Sequence, residues 1–142
     1  MTVLDAYAVI AYLRGEPAAE EVAELLRAGS TLATANAAEV IDQMVRVWER
    51  PADDVEGDLA VLSATGLRVC PLDTELAVEA GRLRAVHYHR ATCAVSMADC
   101  VAAVTALRLD EPLATADPAL AAVVRAEAGR VVGLADSRSR RP

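Results

Sequence analysis

The chain has 142 residues, of which 54% are hydrophobic and 25% are charged, and its formal net charge is −7. This length suits a single domain, and this hydrophobic content excludes a disordered chain. The acidic balance argues against a simple nucleic-acid-binding protein, because phosphates are repelled at long range, but it leaves open an enzyme whose acids hold metal ions. All 14 basic residues are arginine, which excludes chemistry that requires a lysine.

No membrane or secretion signal is evident. The longest run without a charged residue, 28–38, is too short and too polar to span a bilayer. No basic-then-apolar signal segment opens the chain, since an aspartate stands at position 5. The three cysteines are odd in number and lack C-x-x-C spacing, so we expect free thiols rather than a zinc site or a disulfide framework. We therefore expect a cytoplasmic protein.

Five short β-like runs recur along the chain and predict strands. They are TVLD (2–5), TLAT (31–34), RVCPL (68–72), PLAT (112–115) and RVVGL (130–134).

Apolar residues at helical spacing lie between these runs. The predicted buried faces are Val22, Leu25 and Leu26; Ile41, Met44, Val45 and Trp48; Leu76, Ala80 and Leu83; and Leu120, Val123 and Val124. Pro17, Pro51 and Pro118 stand where helices would start, and Gly29, Gly66 and Gly129 stand where helices would stop. Strands that alternate with helices predict an α/β protein with a mostly parallel sheet covered on both faces.

We expect one domain over residues 1–135, followed by a flexible basic tail over residues 136–142. The tail sequence is DSRSRRP, and its three arginines suggest a solvated segment or, alternatively, a contact with phosphate.

Four carboxylates occupy similar local contexts, at or near the starts of predicted helices. Residues 91–107, ATCAVSMADCVAAVTAL, form a predicted buried helix with Asp99 as its one ionisable acid, and an unpaired buried carboxylate is costly. Asp5 closes the first predicted strand, Glu39 follows TLAT, and Asp117 ends PLATAD. Sheets of this class place their sites at the carboxyl ends of strands, so these acids are candidate site residues.

Helix capping is one interpretation of these acids. Ser96-x-x-Asp99 and Asn36-x-x-Glu39 resemble capping boxes, and Asp5 and Asp117 suit N-cap positions. Metal binding is the other interpretation. Converging carboxylates repel each other by about 1–4 kcal/mol per close pair, which a divalent cation would offset. Oxygen ligands without nearby His or Cys favour Mg²⁺, with Mn²⁺ as a substitute. Because helix N-termini favour the ionised form, the two roles are compatible.

The segments VLDAYAVIAYL, AEV, SMADCVAA and LATADPAL, in this order, resemble the motifs of PIN-domain ribonucleases, and the small format resembles toxins of the VapC type. The resemblance covers residues 2–134. It implies a three-layer α/β/α sandwich with a five-stranded sheet, Mg²⁺-dependent endoribonuclease activity on RNA, a homodimer, and a cognate antitoxin.

Carried over by motif, Asp5, Glu39, Asp99 and Asp117 would be catalytic and would hold the metal, with Thr115 and Ser96 as supporting residues. One-ion and two-ion sites both fit this pattern. Many relatives have a small hydroxyl residue where this chain has Tyr7, whose bulk would change access to the metal.

The segment RLRAVHYHR (82–90) groups Arg82, Arg84 and Arg90 just before the Asp99 helix. These arginines suit a solvated face or, alternatively, a contact with RNA or with the partner protein. A second function also remains open, namely a PIN-like binding or assembly module with little or no nuclease turnover.

Overall fold

The computed structural model describes residues 1–142 and contains one five-stranded sheet with the strand order β3-β2-β1-β4-β5. All four strand pairs are parallel, so the predicted mostly parallel sheet is parallel throughout. Every predicted strand is present. The strands are β1 (Thr2–Leu4), β2 (Ser30–Ala33), β3 (Leu67–Cys70), β4 (Leu113–Thr115) and β5 (Val131–Gly133).

Helices connect the strands, as parallel neighbours require. They are α1 (Ala6–Arg14), α2 (Ala19–Arg27), α3 (Thr34–Arg46), α4 (Ala52–Ala64), α5 (Thr74–His87), α6 (Met97–Leu109) and α7 (Pro118–Ala126). Two hydrophobic cores lie on opposite faces of the sheet, because neighbouring strand residues point to opposite sides. Val3 joins the core under α5, α6 and α7, whereas Leu4 joins the core under α1, α2, α3 and α4. The predicted three-layer α/β/α sandwich is confirmed.

Helix α6 is the buried helix that the sequence predicts. Every residue from Cys100 to Ala106 is buried, and most of these side chains are small, which lets the helix lie close to the sheet. Cys100 is a free thiol, as are the other two cysteines. No helix of the structure combines the length and the apolar character that crossing a bilayer requires.

Three of the four predicted helix faces pack as expected, and the face on α3 does so only in part. Met44 is buried and Ile41 is partly buried, but Val45 is 36% exposed and Trp48 is 43% exposed. Helix α3 ends at Arg46, so Trp48 lies beyond it, and the Trp48 ring stacks on the Arg14 guanidinium at 3.1 Å. The prediction of a helical core position for Trp48 is therefore wrong.

Residues 136–142 fold back onto the domain in the structure. The Asp136 carboxylate accepts hydrogen bonds from the backbone N–H groups of Arg138 and Arg140, both at 2.8 Å. Arg141 pairs with Glu21 of α2 at 2.9 Å and donates to the Gly133 carbonyl. A cavity of about 230 Å³ separates this segment from the two neighbours of Asp117, which are Ala116 and Pro118. The flexibility of the tail stays a prediction.

Candidate active site

Asp5 lies at the edge of the sheet where all parallel strands end, directly after β1. It is 3% exposed and caps α1, with its Oδ1 accepting from the Ala8 N–H at 2.8 Å. The predicted capping role of Asp5 is confirmed, but a cap is usually a surface residue and this one is buried. The carboxylate thus lies in the least favourable environment for a charge.

The pKa of Asp5 is raised to about 7, mainly by burial and to a smaller extent by the charges of Asp99 and Glu39. Hydrogen bonds from the Thr115 hydroxyl and the Ala8 N–H act in the opposite direction and lower this pKa. The structure therefore brings Asp5, Glu39 and Asp99 within electrostatic reach of one another, although they are far apart in the chain.

Glu39 is half-buried on α3, and the predicted capping box with Asn36 is wrong. Helix α3 begins at Thr34 after Ala33, which makes no side-chain cap, so Asn36 and Glu39 both lie inside the helix. The Glu39 Oε1 accepts from the Gln43 Nε2 at 3.0 Å, while its Oε2 is buried and has no hydrogen-bond partner. Burial raises the pKa of Glu39, and the charge of Asp99 raises it further.

Asp99 is the third residue of α6 and forms the predicted capping box with Ser96. The Ser96 Oγ accepts from the Asp99 N–H at 3.0 Å, and the Asp99 Oδ2 accepts from the Ser96 N–H at 2.7 Å. Asp99 itself is partly exposed, because only the part of α6 that follows it is buried. Ser96 thus supports the Asp99 carboxylate, and the charge of Asp99 acts on both Asp5 and Glu39.

Asp117 caps α7, as predicted, and Pro118 is the first helical residue. The Asp117 Oδ1 accepts from the Ala119 N–H at 2.7 Å, and the Asp117 N–H donates to the Thr115 Oγ1 at 3.0 Å. Because the Thr115 hydroxyl also hydrogen-bonds Asp5, Thr115 links the ends of β1 and β4. Asp117 is therefore connected to Asp5 through Thr115.

The chemistry of these side chains fits a hard divalent cation such as Mg²⁺ or Mn²⁺, since all four offer carboxylate oxygens. The unpartnered, buried Oε2 of Glu39 supports this fit, because a buried acceptor needs a donor or a cation. In the structure no group of three or more His, Cys, Asp and Glu side chains is placed to hold a metal ion.

The sequence indicates Asn36 only as a helix cap, but in the structure it is 0% exposed and donates from Nδ2 to the Ala98 carbonyl at 3.2 Å. The sequence signal for its role is a polar residue in the first turn of an amphipathic helix, a pattern that also suits a cap. Tyr7 donates to the Ala135 carbonyl at 2.9 Å and lies 3.3 Å from the Glu16 Oε2, so it ties α1 to the segment after β5. The pKa of Tyr7 is raised to about 12, mainly by burial and also by the charge of Glu16.

The arginines of segment 82–90 lie around the end of α5. Arg84 donates from Nε to the Val95 carbonyl at 3.0 Å and stacks over the Tyr88 ring at 4.1 Å. Arg82 lines a surface cavity together with Leu83 and Val86, and Arg90 is exposed in the turn that follows α5. A contact of Arg82, Arg84 or Arg90 with RNA or with a partner stays a prediction.

The fold is similar to those of several solved toxin–antitoxin structures. A chain of a toxin–antitoxin complex from Klebsiella pneumoniae is 15% identical, with 93% of this chain and 96% of that chain covered and a TM-score of 0.68. A chain of VapBC2 from Rickettsia felis, bound to a promoter DNA fragment, is 14% identical, with 92% and 96% covered and a TM-score of 0.67. A chain of FitAcB from Neisseria gonorrhoeae is 21% identical, with 92% and 96% covered and a TM-score of 0.64.

Among curated proteins, none matches this sequence. A family model does match it, over residues 2–126, and its description is PIN domain. These residues contain β1 to β4 and all four of the carboxylates described above. The chain belongs to the PIN domain family.

Proposed function

We propose that this protein is a Mg²⁺-dependent endoribonuclease that acts as the toxin of a toxin–antitoxin pair. The observation that carries this proposal is the buried Asp5 carboxylate, whose pKa is raised to about 7 by burial and by the charges of two further acids. Such an arrangement is costly for the apo protein and becomes favourable when a divalent cation offsets the repulsion. Perturbed carboxylates of this kind are typical of catalytic sites.

In this proposal Asp5, Asp99 and Asp117 hold Mg²⁺ and Glu39 completes the set, with Mn²⁺ as a substitute. The bound cation supplies Lewis-acid chemistry at the scissile phosphate of the RNA. Three of the carboxylates are helix caps, so hydrogen bonds to backbone N–H groups restrict their rotation before substrate arrives.

The two oxygens of Glu39 have different roles in this mechanism. Gln43 holds the Oε1, and the Oε2 remains available as a ligand or as the acceptor of a proton from the attacking water. The Thr115 hydroxyl orients the Asp5 carboxylate by the hydrogen bond that lowers its pKa.

The proposed partners are an RNA substrate, a cognate antitoxin and a second copy of this chain, and the proposed compartment is the cytoplasm. Support for the antitoxin comes from the similar structures, which are toxin–antitoxin complexes. Support for the RNA substrate comes from membership of the PIN domain family and from the carboxylate chemistry.

Cleavage of a labelled RNA tests this proposal, with D5N and D99N as the inactive variants. Asparagine accepts the same capping hydrogen bonds as aspartate but lacks the charge, so both variants fold and neither cleaves. The matched control is D53N, which removes an exposed charge from the first turn of α4, and it cleaves at the wild-type rate. A chelator abolishes the wild-type activity, and excess Mg²⁺ restores it.

Cleavage by D5N and D99N at the wild-type rate would refute the assignment of these residues. A binding or assembly module gives a different result, with neither cleavage nor a gain in thermal stability on adding Mg²⁺, and with retained binding to its partner peptide. The thermal shift in millimolar Mg²⁺ therefore separates the two functions without knowledge of the natural RNA.

A further inference from the structure

Asn36 connects the helix that carries Glu39 to the helix that carries Asp99. Its Nδ2 donates to the carbonyl of Ala98, which immediately precedes Asp99 in the first turn of α6 and lies 62 positions away in the chain. A carbonyl oxygen can only accept a hydrogen bond, so the amide must direct its nitrogen toward α6. The orientation of the Asn36 side chain is therefore fixed by this contact.

The other end of the same amide has no partner. The Asn36 Oδ1 is buried without a hydrogen-bond donor, although the residue is 0% exposed. The Glu39 Oε2 is the one other buried side-chain atom of the structure in this condition. Buried acceptors are nearly always paired, so two unpaired acceptors in one place indicate a missing donor.

Both unpaired acceptors belong to one face of α3, because residues three apart on a helix are neighbours on its surface. That face is turned toward α6, since the Asn36 Nδ2 donates a hydrogen bond to the Ala98 carbonyl. An apolar residue at position 36 would fill the same space at lower cost. The asparagine is consequently better explained by the site than by the packing of the core.

We propose that Asn36 is a positioning residue of the metal site: its amide nitrogen holds the first turn of α6 so that Asp99 faces Glu39, and its Oδ1 accepts a hydrogen bond from a water of the metal ion's hydration shell. This inference rests on the proposed function. Mg²⁺ and similar hard cations keep several waters when bound to proteins. Groups that hydrogen-bond the ligands and waters of such ions orient the site.

Binding of Mn²⁺, measured from the electron paramagnetic resonance signal of the free ion, tests the proposal without any RNA. N36L replaces the amide by an apolar group of similar branched shape and larger volume, and N36A serves where leucine does not fit. We expect both variants to bind Mn²⁺ about 10- to 100-fold more weakly than the wild type, the range typical of such supporting residues. We also expect the urea concentration at which N36L unfolds, without metal, to be equal to or higher than that of the wild type. The reason is that N36L lacks the unpaired Oδ1 of Asn36.

The matched control is T105V. It removes a buried hydroxyl from α6, the helix that carries Asp99, where this hydroxyl donates a hydrogen bond to the Val101 carbonyl. T105V is expected to bind Mn²⁺ as the wild type does. Unchanged Mn²⁺ affinity in N36L and N36A overturns the inference. A lower stability of these variants with unchanged Mn²⁺ affinity also overturns it, because that result indicates a purely structural role. Absence of Mn²⁺ binding to the wild type overturns the proposed function and the inference together.

Discussion

Replacing Asp5 with asparagine is expected to stabilise the metal-free protein, and more so as the pH rises. The native carboxyl has a pKa raised to about 7, above the value of 3.8 for the free side chain. Between these two values the native state binds more protons than the unfolded state, so the stability of the wild type falls as the pH rises from about 4 to 7. Asparagine cannot ionise and avoids this loss, and it accepts the Ala8 N–H hydrogen bond equally well.

The size of the effect follows from the shift in pKa. A shift of about three units corresponds to about 4 kcal/mol at pH 8, where the native and the unfolded carboxyl are both ionised. At pH 5 the native group is still protonated and the unfolded group is mostly ionised, so the loss amounts to only about 2 kcal/mol. The gain in the free energy of unfolding of D5N over the wild type is therefore about twice as large at pH 8 as at pH 5.

Urea denaturation at pH 5 and pH 8 in the presence of a chelator measures this difference. D117N is the matched control, because Asp117 is also a helix cap after a strand but is only partly buried, and we expect it to change stability little at either pH. Mg²⁺ reduces the difference in the free energy of unfolding between D5N and the wild type, since a cation stabilises the ionised carboxylates of the wild type. A D5N variant that is less stable than the wild type at pH 8, or whose gain does not depend on pH, would refute the electrostatic reasoning.

Three further predictions concern the stability of the fold. G129A places a Cβ 2.7 Å from the Val124 Cγ1 and 2.8 Å from the Leu107 Cδ2, so urea denaturation should show a loss of about 1–3 kcal/mol. Its control, G57A, adds a Cβ to α4 with no atom within 4 Å and should gain about 0.5–1 kcal/mol. Y7F removes the hydrogen bond to the Ala135 carbonyl and should lose about 1 kcal/mol in the same assay, whereas equal stability would make this contact unimportant. S96A breaks the capping box of α6 and should lose about 1 kcal/mol in calorimetry, and a wild-type melting curve would contradict that.

Local chemistry explains why most of the fold and several site residues follow from the sequence. The strands and the helices between them have distinct apolar periods, and parallel topology then places Asp5 and Asp117 at one edge of the sheet. The capping box of Ser96 and Asp99 is also a local pattern, since both hydrogen bonds span three residues. Interactions of this range are readable from a single sequence.

Long-range contacts explain what the sequence did not provide. The role of Asn36 depends on Ala98, 62 positions away. The predicted cap at Asn36 is wrong because α3 begins at Thr34, two residues before Asn36, without any side-chain cap. The burial of Asp5 could not be predicted from the sequence either, because it results from packing around β1 and not from residues that neighbour Asp5 in the chain. The sequence instead predicts a buried environment for Asp99, which is more exposed than Asp5 in the structure.

The two ends of the described chain lie at opposite edges of the sheet, and this matters for anyone who attaches an affinity tag or a fluorescent reporter. Met1 precedes β1 and lies close to Gly29, just before β2, so a fusion there begins at the end of the strands opposite to the acidic edge. Pro142 instead lines the cavity beside Ala116 and Pro118, the two neighbours of Asp117. An appended sequence at that end would start next to the carboxylates, so measurements of their chemistry call for a tag placed before Met1.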